Sequence, residues 1–258
     1  MESLKGKENR EKYITTALSL KGSVRIHDLA NELGVSRETI RRDLKDLEAR
    51  EMLQCTHGGA TIDSPTNAYY EALIAKAKNP DEKQAIGKKA ADLIKDYEAI
   101  IILGTTTTEY LGPHLAQKNH LTVITNSFSI AQYASKNPTN SIIILGGEYN
   151  TNLQATTGAA TISALKNYRA DKVFFSTRGI SCHFGITSHP ESDAQIIKTA
   201  LSISKTSILL NDYSKFWIVG LYKVCDISDI DFVISDSQLS QKKINELSSE
   251  DTHLIIAE

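Results

Sequence analysis

Apolar residues in the first fifty positions recur at the spacing of amphipathic helices. Two stripes are present, with Tyr13, Ile14, Ala17, Leu18 and Leu20 in the first and Ile26, Leu29, Ala30 and Leu33 in the second. Gly34 ends the second helix, because glycine adopts positive φ without strain. Ser36 is placed to cap a third helix, in which Ile40, Leu44 and Leu47 share one face. The pattern therefore predicts three helices before residue 50.

The opposite face of the third helix is polar and mostly basic. At about 100° per residue, this face carries Glu38, Arg41, Arg42, Lys45 and Ala49. The following segment, "MLQCTHGGATI" at 52–62, has two short β-compatible pieces on either side of His57-Gly58-Gly59, which suits a hairpin turn. Three helices followed by a hairpin predict a winged helix-turn-helix domain over residues 1–62.

From Glu82 onward, short apolar runs alternate with amphipathic segments. The apolar runs predict strands at 99–103, 121–125, 141–145, 172–176, 207–211, 231–235 and 253–257. The segments between them predict helices at 82–95, 107–118, 127–136, 161–168, 191–204 and 239–247. Continuous apolar strands separated by helices indicate a parallel sheet buried on both faces. We therefore expect an α/β fold: the winged helix-turn-helix, a linker at 63–81, and a Rossmann-like parallel-sheet domain over 82–258.

Composition and charge narrow the class of protein. Of the 258 residues, 41% are hydrophobic and 23% are charged, which is ordinary for a soluble globular protein. The formal net charge is −2, and residues 1–60 hold 11 Lys and Arg against 10 Asp and Glu. If the N-terminal domain binds DNA, its positive charge must therefore be focused on one face.

Cysteine spacing and the apolar runs exclude several other classes. Cys55, Cys182 and Cys225 lie far apart and form no CxxC pair, so we expect no disulfide framework, no metal site and no cofactor. The apolar runs are too short to cross a bilayer. The first residues, "MESLKGKENREK", are polar and do not resemble a signal peptide. We expect a cytoplasmic protein that does not bind membranes.

Groups that suit an anion follow five of the predicted strands. They are Gly104, Thr105, Thr106 and Thr107 in "GTTTTE", Asn126 and Ser127 in "TNS", Gly146 and Gly147 in "GGE", Arg178 in "STRG", and Asp212 and Lys215 in "NDYSKF". In parallel α/β folds, ligands bind outside the carboxyl ends of the strands. The five ends together predict one pocket for a small phosphorylated or polyhydroxylated ligand. They match neither the GxGxxG nor the Walker pattern, and the acids and bases near them show no catalytic spacing.

The sequence resembles the DeoR family of bacterial transcription regulators. The segment "IHDLANELGVSRETIRRDLKDLEAREML" with the later "HGGA" is similar to that family's winged helix-turn-helix signature across 26–60. The remainder resembles the family's sensor domain, whose fold is related to ribose-5-phosphate isomerases and CoA transferases. The resemblance implies a repressor that binds a double-stranded DNA operator as a homodimer or homotetramer. It further implies control by a small effector, a phosphorylated sugar or related metabolite.

Site residues follow from the resemblance by position. Ser36, Arg37, Thr39, Arg41, Arg42 and Lys45 fall in the recognition-helix segment, and His57 and Gly58 in the wing turn. The strand-end groups named above fall on the family's effector loops. The chain departs from the family pattern at Leu103, Thr105, the Thr177-Arg178 pair, Ala194 and Cys55. The first four departures change the expected effector pocket, and the last weakens the contact between the wing and a DNA phosphate.

Two other functions remain open on sequence grounds. One is a sugar-phosphate isomerase or transferase-like enzyme with an accessory DNA-binding module. It is disfavoured because "SDAQ" at 192–195 and "NDY" at 211–213 do not reproduce the acidic motif of such isomerases. The other is redox or metal sensing through the three cysteines.

Overall fold

The computed structural model describes residues 6–50, 53–61, 78–151, 153–247 and 250–258. Most of the predicted linker at 63–81 lies outside these residues, as does the side chain of Leu20. The chain divides into two units, Met1–Lys78 and Asn79–Glu258. Each unit is described by itself below.

The N-terminal unit contains the three predicted helices, and the predicted Gly34 and Ser36 boundaries are observed. The elements are α1 (Lys7–Lys21), β1 (Ser23–Arg25), α2 (Ile26–Leu33), α3 (Arg37–Ala49), β2 (Gln54–Thr56) and β3 (Gly59–Thr61). Gly22 ends α1 and Gly34 ends α2, each in the left-handed region at φ 70° and 63°. Ser36 caps α3 by accepting a hydrogen bond from the Thr39 N–H. The winged helix-turn-helix prediction is confirmed.

A small sheet completes the wing. Its order is β1-β3-β2, with antiparallel pairing throughout. Strand β1 was not predicted, because three residues carry too little alternation to be seen in the sequence. Gly59 pairs with Arg25, and a Cβ at position 59 would lie 1.8 Å from the carbonyl oxygen of Val24. Close approach of two backbones therefore requires glycine at this point of the "HGGA" turn.

One ion pair lies inside the helical core. The apolar faces of α1, α2 and α3 bury Ile14, Leu18, Leu29, Leu33, Ile40, Leu44 and Leu47. Beside them, the Arg10 Nε and Nη2 donate to the two carboxylate oxygens of Asp43 at 2.7 and 3.0 Å. The side chains of the pair are 11% and 4% exposed. The hydrogen bond to Asp43 is the main reason that the pKa of Arg10 is raised.

The C-terminal unit is an alternation of strands and helices. Its helices are α4 (Pro80–Asp92), α5 (Phe128–Ala134), α6 (Ala159–Leu165), α7 (Glu191–Ser202) and α8 (Gln241–Leu247). Its strands are β4 (Ala99–Ile102), β5 (Thr122–Thr125), β6 (Ser141–Ile144), β7 (Glu148–Asn150), β8 (Ala155–Thr157), β9 (Ala170–Phe175), β10 (Gly179–Ser181), β11 (Gly185–Ser188), β12 (Ser204–Leu210), β13 (Tyr222–Cys225), β14 (Phe232–Asp236) and β15 (His253–Ala257). Each predicted apolar run is a strand.

The large sheet is parallel and has the order β15-β14-β12-β9-β4-β5-β6. Its two faces are covered by separate apolar clusters, one including Ile101, Val173 and Leu209 and the other including Ile100, Ile102 and Phe174. The chain runs to one side of β4 through β5 and β6, and then to the other side from β9. This change of direction between β4 and β9 is where parallel α/β folds open a crevice.

Two features of this unit differ from the sequence prediction. Residues Thr108–Gln117 form a 3-10 helix where an α-helix was expected. Pro113 lies inside this segment, and its ring clashes with the carbonyl of the preceding α-helical turn, which disfavours a regular α-helix here. The hairpin β7-β8 and the sheet β10-β11-β13 were also missed, because these short strands carry no long apolar run. In the described part of the chain, no helix is long and apolar enough to span a membrane.

Replacing Asp43 by Ala is expected to lower the free energy of unfolding of the N-terminal unit by about 3 kcal/mol, because the buried Arg10 guanidinium loses both of its hydrogen bonds to the Asp43 carboxylate. Trp217, the only tryptophan of the chain, lies in the C-terminal unit. Urea unfolding followed by far-UV circular dichroism should therefore shift, while Trp217 fluorescence should not. The matched control is the double variant Arg10→Met with Asp43→Leu, which is expected to be close to wild type in stability. Equal losses in both variants would contradict this account.

Candidate functional site

The outward face of α3 presents four cations. Arg37, Arg41, Arg42 and Lys45 are all exposed, and the side chains of Arg41 and Arg42 are 57% and 79% accessible. Glu38 lies among them, with carboxylate oxygens 3.4 Å from Arg41 and 3.9 Å from Arg42. Exposed pairs of this kind are weak and are screened by salt. A phosphate can therefore compete for both arginines.

The other acids of α3 are turned toward the protein. Asp43 is buried against Arg10, and Asp46 accepts a hydrogen bond from Lys7 at 2.6 Å. Glu48 accepts a hydrogen bond from the backbone N–H of Cys55, also at 2.6 Å. Their contacts leave the outward face of a nearly neutral domain distinctly basic.

The remaining predicted DNA contacts lie at the two ends of this face. Ser36 is exposed, and its hydroxyl lies 2.9 Å from the partly exposed hydroxyl of Thr39. His57 and Gly58 are exposed at the tip of the β2-β3 hairpin, and the Gly58 carbonyl accepts a hydrogen bond from the Ile26 N–H at 2.9 Å. That bond fixes the wing to the start of α2. The structure thus brings all eight predicted residues to α3, its cap and the wing tip of the same unit.

A hollow of about 580 Å³ between α1 and α3 is a poor ligand site. It is lined by Lys7, Glu11, Asp46, Ala49 and Arg50. Its charged groups already pair with each other, Lys7 with Asp46 and Arg50 with Glu11, both at 2.6 Å. The hollow is therefore an ion-paired surface groove.

In the C-terminal unit, the loop after β4 is braced by its own threonines. The Thr108 hydroxyl donates to the Leu103 carbonyl at 2.7 Å and accepts from the Thr105 N–H at 2.9 Å. Thr107 and Thr108 are buried, whereas Thr105 and Thr106 are partly exposed. Within the described residues, the backbone N–H groups of Thr106 and Thr107 donate to no acceptor. Free N–H groups in a rigid loop suit an anion.

Asn126 positions this loop rather than pointing into open space. Its Oδ1 accepts the Gly104 N–H at 2.8 Å, and its Nδ2 donates to the Thr156 carbonyl at 2.8 Å. Its side chain is 5% exposed. Because both ends of the amide form hydrogen bonds, Asn126 fixes the loop after β4 and the hairpin β7-β8 relative to each other. Asn126 was predicted to contact an effector, and the geometry gives it this positioning role as well.

A second buried asparagine fixes the loop after β9, on the other side of the point where the strand order reverses between β4 and β9. Asn211, at the end of β12, accepts the Ser176 hydroxyl at 2.8 Å and the Thr177 N–H at 3.1 Å. Its Nδ2 donates to the Thr177 hydroxyl at 3.0 Å. Asn211 is fully buried and was not singled out in the sequence. The loops after β4 and β9 are thus both fixed by side-chain amides.

A pocket of about 50 Å³ lies at the reversal between these two loops. It is lined by Leu103, Gly104, Thr105, Asn126, Leu153, Thr157, Ser176, Ser188, Asp193, Ile196 and Ile197. Three of the predicted effector residues, Gly104, Thr105 and Asn126, are among them. The pocket sits where the parallel sheet predicts a ligand, although it is far smaller than the several hundred Å³ of typical ligand sites.

Asp193 is the only ionisable residue among the described residues that line this pocket. Burial raises the pKa of its carboxyl to about 6. Asp193 was not among the effector residues predicted from the sequence. A signal was present nonetheless: Asp193, Ile196, Ile197 and Ala200 follow i, i+3, i+4, i+7, which places an acid on the apolar stripe of α7.

Three more of the predicted effector residues, Ser127, Gly146 and Gly147, have structural roles at their positions. Ser127 is fully buried and caps α5 through the Ile130 N–H. A Cβ at Gly147 would lie 2.0 Å from the Thr161 hydroxyl oxygen, and that hydroxyl donates to the Gly146 carbonyl at 2.9 Å. Glycine is thus required where the loop after β6 meets α6. None of the three lines the pocket, and their contact with an effector stays a prediction.

Asp212 is almost fully buried and engaged. Its Oδ1 accepts from the Asn79 Nδ2 at 2.8 Å, the Ser214 N–H at 3.0 Å and the Ser214 hydroxyl at 2.5 Å. Asn79 is the first residue of the C-terminal unit and adopts φ 54° immediately before α4. The loop after β12 is therefore tied to the point where the chain enters this unit.

Arg178 and Lys215 are the cations among the predicted effector residues. Arg178 is exposed after β9, and Lys215 is partly buried in the short 3-10 helix Tyr213–Lys215. Each also contacts other residues of the protein. Both lie beyond carboxyl ends of the sheet strands, outside the pocket lining, and their role stays a prediction.

The cysteines do not resemble a sensor. Burial raises the pKa of Cys55 to about 11 and that of Cys225 to about 12, and it also raises the pKa of Cys182. A protonated thiol is a poor nucleophile and a poor metal ligand. Across the described ranges, no group of three or more His, Cys, Asp or Glu side chains is placed to hold a metal ion.

The fold defines a class: a winged helix-turn-helix domain followed by an α/β domain of the parallel-sheet type. Residues 10–66 match the DeoR-like helix-turn-helix domain, and residues 78–237 match the DeoR C-terminal sensor domain. The chain belongs to the DeoR family of transcriptional regulators, as its sequence predicts. The family implies operator DNA and a small-molecule effector as partners, and it sets the enzyme alternative aside.

Relatives match over nearly their whole length. The regulator YgbI of Escherichia coli is 30% identical over 96% of this chain and 97% of its own. The lactose phosphotransferase system repressor of Staphylococcus epidermidis is 33% identical over 92% and 95%, and the repressor GlcR of Bacillus subtilis 31% over 97% and 96%. Among solved structures, a ribose 5-phosphate isomerase from Plasmodium falciparum has a TM-score of 0.38 at 16% identity over 54% of each chain. This last likeness is too distant to bear on activity.

Replacing Asp193 by Asn is expected to stabilise the protein at pH 8 and to have little effect near pH 4. The folded carboxyl keeps its proton up to about pH 6, whereas the unfolded one loses it near 3.8. Stability therefore falls as the pH rises between these values and stays lower above them. At about 1.4 kcal/mol per pKa unit, the gain at pH 8 is at most about 3 kcal/mol. Thermal unfolding monitored by Trp217 fluorescence tests this, and an equal difference at both pH values would contradict it.

Proposed function

We propose that this protein is a cytoplasmic repressor that binds a double-stranded DNA operator through α3 and is released by a phosphorylated sugar or a related metabolite. In this proposal, residues 1–62 bind DNA, 63–81 link the domains, and 82–258 bind the effector. The observation that carries it is the outward face of α3, where Arg41 and Arg42 are exposed while Asp43, Asp46 and Glu48 contact the protein. Two relatives are named as repressors.

The DNA contact follows from the shape and charge of the N-terminal unit. A helix of 13 residues with one apolar and one basic face fits the major groove. Arg37, Arg41, Arg42 and Lys45 contact phosphates and base edges, and Ser36 and Thr39 contact the backbone near the start of the helix. His57 and Gly58 at the wing tip contact the neighbouring phosphates.

A homodimer or homotetramer is the expected assembly. One α3 offers four cations beside Glu38, and a single unit of that charge binds weakly at physiological salt. Two copies related by a two-fold axis read two half-sites and double the number of phosphate contacts. An operator with pseudo-palindromic half-sites follows from this symmetry.

The effector assignment rests on the carboxyl edge of the sheet. The free N–H groups of Thr106 and Thr107, together with Lys215 and Arg178 beyond neighbouring strands, supply donors and positive charge for a phosphate. The polar and apolar lining of the adjacent pocket suits a sugar. One relative is named as a lactose phosphotransferase system repressor, which supports a sugar-derived effector for this chain.

Effector binding must rearrange this edge, because the pocket holds about 50 Å³. A ligand that binds only the opened form shifts the population toward that form. We infer that the signal leaves through the loop after β12, since Asp212 on that loop is bonded to Asn79, where the chain enters the unit.

Replacing both Arg41 and Arg42 by Ala is expected to abolish specific operator binding and leave the fold intact, because both side chains are exposed. Each lost phosphate contact should also reduce the slope of log K against log[salt] by about 0.9. Fluorescence anisotropy with labelled operator fragments at several salt concentrations measures both effects. The matched control replaces Lys88 and Lys242, exposed lysines of the C-terminal unit, by Ala. Equal losses in both variants would show a general charge effect and remove α3 from the interface.

Replacing Lys215 by Gln, or Thr106 by Pro, which removes the backbone N–H, is expected to abolish release of the operator by sugar phosphates while operator binding persists. Titrating a panel of sugar phosphates into the protein–operator complex measures this, with Lys242→Gln as the control. Release at wild-type concentrations in both test variants would place the phosphate elsewhere. An Asn79→Ala variant that still couples effector to release would remove the proposed route through Asp212.

A further inference from the structure

Asp193 stands on the buried side of α7 within the pocket at the sheet reversal. In the stripe Asp193, Ile196, Ile197 and Ala200, the three apolar residues are buried and Asp193 is partly buried. The first three of the four residues line the pocket. The other residues that line the pocket with this carboxylate are Leu103, Leu153, two isoleucines and neutral polar residues. The carboxylate is therefore held in a site that is poor in water and lacks a counter-charge.

Three of the neutral polar groups of the pocket already form hydrogen bonds within the protein. The Asn126 amide is used at both ends, the Ser176 hydroxyl donates to Asn211, and the Thr105 hydroxyl lies 2.9 Å from that of Thr108. The Asp193 carboxyl has no hydrogen-bond partner among the described residues. The Asp193 carboxylate is thus an acceptor that is available to a ligand and is not needed to hold the fold.

The charged residues close to Asp193 in the sequence do not supply a counter-charge for its carboxylate. Glu191 and Lys198 on α7 are exposed, and the lining contributed by the loops after β4, β5 and β9, by the hairpin β7-β8 and by β11 is uncharged among the described residues. An unpaired buried carboxylate favours a ligand that donates hydrogen bonds to it and opposes a second anion at the same place. Its raised pKa reflects the same lack of partners.

We propose that Asp193 sets the specificity of the effector site: it accepts a hydrogen bond from a hydroxyl group on the part of the effector remote from the phosphate, and it excludes phosphorylated sugar acids. This inference rests on the proposed function, because it presupposes a phosphorylated sugar in the pocket. The phosphate lies at the Thr106-Thr107 loop, and the sugar hydroxyls reach toward α7. The effector class is thereby narrowed to neutral polyhydroxylated monophosphates.

Two probes that differ at one carbon test this directly. Glucitol 6-phosphate ends in a CH₂OH group where 6-phosphogluconate ends in a carboxylate. They are measured, together with aldose and ketose monophosphates of four to six carbons, by isothermal titration calorimetry against the full chain. Wild type is expected to bind neutral sugar phosphates and to disfavour the acid by at least about tenfold. The Asp193→Asn variant, which keeps the size of the side chain, is expected to reduce that preference by at least about tenfold, mainly by binding the acid more tightly.

A matched variant and a second readout separate the possible results. Asp92→Asn removes an exposed acid of α4 and should leave the preference at its wild-type value. Operator release by each probe should follow the same order as binding. If neutral sugar phosphates bind wild type but the preference is unchanged in Asp193→Asn, the role of Asp193 is wrong and the proposed function stands. If no member of the panel binds wild type, the phosphorylated-sugar effector itself is wrong, and the role of Asp193 falls with it.

Discussion

The reversal of strand order between β4 and β9 is the constraint on which the C-terminal unit depends. At this point the two loops leave the sheet in opposite directions, and their backbone groups lose the partners that a continuous sheet would give. Asn126 and Asn211 supply those partners from the neighbouring strands β5 and β12. Both amides are buried, so losing either would leave N–H groups such as that of Gly104 unpaired at a cost of about 1–3 kcal/mol. These two side chains therefore fix the loops after β4 and β9, which both contribute residues to the pocket.

A comparable constraint organises the N-terminal unit. With 11 basic and 10 acidic residues over 1–60, its total charge does little to attract DNA. The charge of the DNA-facing surface depends instead on where the acidic side chains of α3 lie. The buried Arg10–Asp43 pair and the Lys7–Asp46 bond draw two carboxylates of α3 toward α1. The same contacts that pack the helices therefore leave a local excess of positive charge on the outer face, where it acts over the first few ångströms from a phosphate.

The sequence predicted most of the fold and less of the site. The spacing of apolar residues predicted the N-terminal helices, including the one with Ile40, Leu44 and Leu47 on its buried face. Continuous apolar runs predicted the seven strands of the large sheet, because these strands are buried on both faces. The sheet β10-β11-β13 contains no such run, and Pro113 changed the type of one helix. Residues after the strands were expected at one edge, and they lie there. Which of them are already bonded within the protein, as Asn126, Ser127 and Asp212 are, depends on long-range partners that no local pattern contains.

Under the proposed mechanism, the free energy of the hydrogen bond between Asn79 and Asp212 is enough to couple effector binding to operator binding. Regulation of this kind requires a coupling free energy of about 1–3 kcal/mol between effector and operator. The bond from Asn79 to Asp212 involves a charged acceptor, and such hydrogen bonds contribute about 1.5–3 kcal/mol. Asp212 precedes Lys215 by one turn of a 3-10 helix, so a phosphate bound at Lys215 acts on the same short segment. A large rearrangement of the sheet is therefore unnecessary: a small displacement of this segment, weakening one buried bond at the entry to α4, supplies a signal of the required size.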